Sequence, residues 1–103
     1  PTGLTPAGRL VLWTGFIPRG IGRAPDPFLP EIGSVEDLRR DLTAVLERLQ
    51  ALAPLLAELE RSIVRSRHIL YGELTAREWL RYLGVHHHHH LKIIRDIRKR
   101  AGF

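Results

Sequence analysis

The 103 residues predict an all-α fold: an up-down four-helix bundle that this chain fills in part or completes with a second copy of itself. Three observations lead there. Leu38, Leu42, Val45, Leu49, Leu52, Leu56, Leu59 and Ile63 follow one another in alternating steps of four and three, a sustained heptad stripe. A second amphipathic segment begins at "LTAREW", where Thr75 and Glu78 have capping-box spacing. Each stripe must be buried against other helices, and a hairpin of two cannot cover both.

The elements follow in chain order. In "TPAGRLVLWTGF" Thr5 caps and Pro6 suits the first helical position, so a short helix is expected over about residues 6–15. The linker over about 17–33 holds Pro18, Pro25, Pro27 and Pro30 with Gly20 and Gly22, which forbids regular helix or central strand. It reads as an extended connection that packs Phe28 and Leu29. Ser34 and Asp37 start a long helix over about 35–62, and Pro54 kinks or ends it by removing a backbone donor. "RSRHILYGEL" is a basic stretch without strand alternation. The last helix spans about 76–100, with an inward face of Trp79, Tyr82 or Leu83, His86, His89, His90, Ile93 and Ile97.

Composition narrows the function. Cysteine is absent, which excludes disulfides, thiolate zinc sites and a cysteine nucleophile within these residues, so any metal is held by nitrogen or oxygen. No apolar run approaches the roughly 20 residues that span a bilayer, and no secretory signal opens the chain, so the default compartment is the cytoplasm. The net charge of +5 is concentrated in the tail "KIIRDIRKRAGF", where the helix dipole favours bases. A nucleic-acid binder ranks last, because no reading motif or aromatic stacking platform accompanies the arginines.

The run "HHHHH" at 86–90 is internal, unlike an expression tag, and Ile93 and Ile97 keep helical phase with His86. His86 and His90 lie on one face ~6 Å apart along the axis, where two imidazoles can share one cation. A pair of satisfied core histidines produces the same spacing. His89 falls on the core side as a neighbour, and His87 and His88 fall on the flanks.

The segment "HILYGELTAREWLRYLGVHHHHHLKIIRDI" resembles the last-helix signature of the DinB-like superfamily, metal-binding four-helix bundles that include bacillithiol and mycothiol S-transferases. His68, Gly72, Leu74, Thr75, Glu78, Trp79, His86, His89 and His90 carry the likeness. It implies that His86 and His90 ligate a divalent ion, nickel or zinc, with a third histidine from the second helix. No histidine precedes His68, so this chain departs from the pattern there. It is then the C-terminal part of such a domain lacking the N-terminal helices, or a homodimer that rebuilds four helices, or a bundle with a degenerate site. His68 is a poor substitute ligand, since it precedes the cap of the last helix. With a complete site the resemblance implies a thiol-dependent S-transferase using a low-molecular-weight thiol; the alternative is a non-catalytic helical self-association module. Arg77, Glu78 and Arg81 read as capping and solvated surface.

Overall fold

The computed structural model describes residues 3–20, 22, 26–28, 31 and 33–102. The packing expected of Phe28 and Leu29 lies outside the described residues. The chain is mostly helical: α1 (Pro6–Thr14), α2 (Val35–Ala51), α3 (Leu56–Arg61), β1 (Arg65–His68), β2 (Gly72–Thr75) and α4 (Ala76–Arg100). It forms two compact units, one of residues 1–18 with 59–103 and one of residues 19–58. No helix among the described residues is long and apolar enough to cross a membrane.

In the first unit, the Thr5 side chain accepts from the Gly8 backbone N–H at 3.1 Å, and Pro6 follows at the first helical position, so α1 starts where local chemistry dictates. It ends at Gly15, whose φ of 70° supplies the left-handed cap while its N–H donates to the Val11 carbonyl. α4 begins with a complete capping box: Thr75 Oγ1 accepts from Glu78 N, and Glu78 Oε1 accepts from Thr75 N.

The all-α expectation needs correction between these helices. β1 and β2 pair antiparallel, with Arg65 opposite Thr75 and His68 opposite Gly72. Residues 3–5 run along the other side of Gly72: Leu4 bridges to it, Glu73 N donates to the Gly3 carbonyl at 2.7 Å, and Thr5 N donates to the Tyr71 carbonyl at 3.0 Å. This approach requires glycines. Gly72 has φ of 96°, and a Cβ there would run into the Gly3 carbonyl oxygen; a Cβ on Gly8 would stand 2.5 Å from the Tyr71 carbonyl oxygen.

The core of this unit is small: Leu74 is fully buried, with Val11, Tyr82 and Val85 around it. Even at roughly 2 kcal/mol apiece, the four side chains buried among the described residues are a thin core against the entropy of ordering the chain. The inward face expected along α4 needs correction only at two positions. Tyr82 is buried and Trp79, Leu83, His86, His89 and Ile93 are half-buried as expected, Val85 is buried beside them, and His90 and Ile97 are exposed. The reason is length: α1 reaches ~13 Å and α4 ~37 Å at 1.5 Å per residue, so α1 cannot cover the whole of α4.

In the second unit, Ser34 caps α2 by accepting from Asp37 N at 3.0 Å. The long helix expected over 35–62 breaks where Pro54 lies: α2 ends at Ala51, a 3-10 turn occupies Ala53–Leu55, and α3 resumes at Leu56. No residue of α2 is buried. A closed four-helix bundle is therefore not formed by the described residues.

Two glycine substitutions separate contact from propensity. Gly72→Ala is expected to lower unfolding free energy by about 2–4 kcal/mol. Gly84 has open space around its Cβ position within α4, and Gly84→Ala should instead add up to about 1 kcal/mol. Urea denaturation of the two variants checks the opposite signs.

Candidate metal site

The 3.6-residue period of α4 brings His86 and His90 together, with Nε2 of one 2.9 Å from Nε2 of the other and ring centroids 4.6 Å apart. At that distance one ring nitrogen donates and the other accepts, so the two cannot both be cationic. His86 is half-buried against Tyr82, 5.1 Å between centroids. Burial holds its pKa below the ordinary histidine value, and the neighbouring His90, His87, His89 and His68 push in the same direction. A neutral imidazole is the form that ligates.

The rest of the run divides by phase. His89 is half-buried and meets His90 edge to face at 5.2 Å. His87 is exposed and donates from Nδ1 to the Leu83 carbonyl at 2.8 Å; His88 is exposed.

His68 has a different task. Its Nδ1 accepts from the backbone N–H of Leu70 at 3.0 Å and of Tyr71 at 3.3 Å, which fixes the turn between β1 and β2. Its ring stacks on Tyr71 at 4.5 Å and meets Tyr82 at 4.7 Å. Tyr82 thus touches both His68 and His86, and the rings of Tyr71, His68, Tyr82, His86 and His90 form a ladder from the hairpin along α4. Burial lowers the pKa of His68 as well.

The His86–His90 separation tests the fit to a metal. With ~2.0–2.1 Å from metal to nitrogen, donors 2.9 Å apart subtend about 90° at the ion. In the hydrogen-bonded pair one of these nitrogens carries the proton between them, so both would face one ion only after that proton is lost. Among the described residues no group of three His, Cys, Asp or Glu side chains is placed to hold an ion. The pair offers two donors.

No protein-family model matches the chain, and neither a curated protein nor a solved structure matches it. The DinB-like resemblance rests on the residues that carry it.

Sequence reasoning missed the hairpin and with it the role of His68. The available signal was Gly72 after an aromatic residue and two residues before an apolar one, but the strand residues Arg65, Arg67 and Glu73 gave no apolar alternation.

A protonated His68 cannot accept from the turn. With folded pKa values of His68 and His86 below the unfolded value of ~6.5, their contribution to stability is full above that value. It is lost as pH falls through the folded values. The urea midpoint should therefore drop between pH 7.5 and pH 5. His68→Ala should cost about 1–2 kcal/mol at pH 7.5 and show a shallower pH dependence, measured by the same denaturation series.

Proposed function

We propose that the chain is a helical self-association module, with the His86–His90 pair as a degenerate metal site. The observation that carries this reading is the unburied stripe of α2: Val35, Leu38, Leu42, Val45 and Leu49 are all exposed, 39% at the least. An isolated helix of this length is marginal in water, so its stability must come from packing.

A second copy lying antiparallel satisfies the stripe. That register stacks Leu42 on Val45 of the partner subunit and Leu38 on the partner's Leu49, the arrangement of an antiparallel coiled coil. It also sets Asp41 opposite the partner's Arg48, twice by symmetry. In a parallel pair Asp41 would face the partner's Leu46. Such exposed ion pairs contribute about 0.2–1 kcal/mol, so they choose orientation while the apolar stripe drives association.

The thiol-transferase reading asks for a third histidine from a second helix, and the described residues supply no three-ligand group. The 2.9 Å approach of His86 and His90 nevertheless favours divalent-ion binding by this pair. Such binding is weak, since two donors leave the remaining positions to water.

Sedimentation equilibrium tests the association. The 11.8 kDa chain should have twice that mass, and Leu42→Asp should return it to monomer. Asp41→Arg or Arg48→Asp alone should weaken the dimer, and the two together should restore it. A wild-type monomer contradicts the proposal. For the histidine pair, nickel titration by calorimetry should lose at least about tenfold in affinity in His86→Ala or His90→Ala, while His88→Ala should retain it.

A further inference from the structure

An open groove of about 730 Å³ lies between α1 and the first turns of α4, within the first unit. Its size falls in the range of small-molecule sites, roughly 300–1,000 Å³. Leu4, Leu10 and Trp13 supply apolar wall, and Trp13 is 83% exposed, a large indole surface left to water. Arg9, Arg77 and Arg81 stand around it.

These arginines are not spent on carboxylates. Arg9 and Arg77 make no ion pair among the described residues. Arg81 donates from Nε to the Leu12 carbonyl at 3.2 Å, which holds its guanidinium over the end of α1. Gly15 leaves room for it, since a Cβ there would stand 3.1 Å from Nη2. Glu78 is the one acidic group in the lining, and its Oε1 is engaged in the capping box. Arg77 and Arg81, which read as solvated helix surface in sequence, thus stand with Arg9 beside an apolar wall.

We propose that this groove binds an organic carboxylate with an aliphatic or aromatic body. The planar guanidinium donors match a carboxylate head. The leucines and Trp13 cover an apolar body, which removes their own surface from water. A neutral amphiphile would satisfy only the second half of the site. The proposal is independent of self-association through α2, whose residues take no part in the groove.

Two sources share this chemistry, a free acid and the acidic surface of a lipid membrane, and three arginines around one groove of small-molecule size match the single head of a free acid. The test is the indole N–H resonances of Trp13 and Trp79 in the full chain, with decanoate below its aggregation threshold as probe. Decanoate should move the Trp13 resonance saturably, and decanol should bind at least about tenfold more weakly. Arg9→Gln with Arg77→Gln should weaken decanoate by a similar factor, and Arg9→Lys with Arg77→Lys should recover part of it. An unchanged Trp79 resonance confirms that the variants are folded. Equal affinity for decanoate and decanol, or no effect of the Gln pair in folded protein, overturns the proposal. So does a Trp13 response to phosphatidylglycerol vesicles without a response to decanoate, which would assign the patch to a membrane surface.

Discussion

The contact between the backbones at Gly3 and Gly72 is the constraint on which the rest of the first unit depends. Residues 3–5 can add to the edge of the hairpin only because neither Gly72 nor Gly8 has a Cβ in the way. Once they do, Thr5 binds the hairpin turn through both its N–H and its hydroxyl, which donates to the Leu70 carbonyl. The same residue caps α1, so the position of that helix follows from the hairpin. Val11 then reaches the small core with Leu74, Tyr82 and Val85, and the arginine-lined groove opens between α1 and α4.

The histidine ladder depends on the same arrangement from the other side. His68 holds the turn as a neutral acceptor and packs on Tyr82, which in turn packs on His86. Burial that keeps the core together also keeps these imidazoles uncharged. Acid therefore acts on fold and candidate site together.

What the sequence made legible was local. The Thr5–Pro6 start, the Thr75–Glu78 capping box and the break at Pro54 are set by residues within a few positions of each other, and the structure has each where local chemistry puts it. The convergence of His86 and His90 follows from the helical period alone. The hairpin was not legible, because its strands are short and polar and its determinants, Gly3, Gly8 and Gly72, act across more than sixty residues of chain. For the same reason Val85 and not Ile97 is interior: coverage of α4 depends on which elements reach it. Arg77 and Arg81 looked like solvated surface because the wall they face belongs to α1.

Among the described residues four apolar side chains are buried and none of them is on α2, which leaves much apolar surface exposed. The proposed burial of the α2 stripe against a second copy would resolve that imbalance, since the hydrophobic term scales with area removed from water. Amide hydrogen exchange across Leu38–Leu49, followed over a range of protein concentrations, measures this most directly. Protection that rises with concentration is the result expected of antiparallel pairing. Fast exchange at every concentration, or protection independent of concentration, would contradict it.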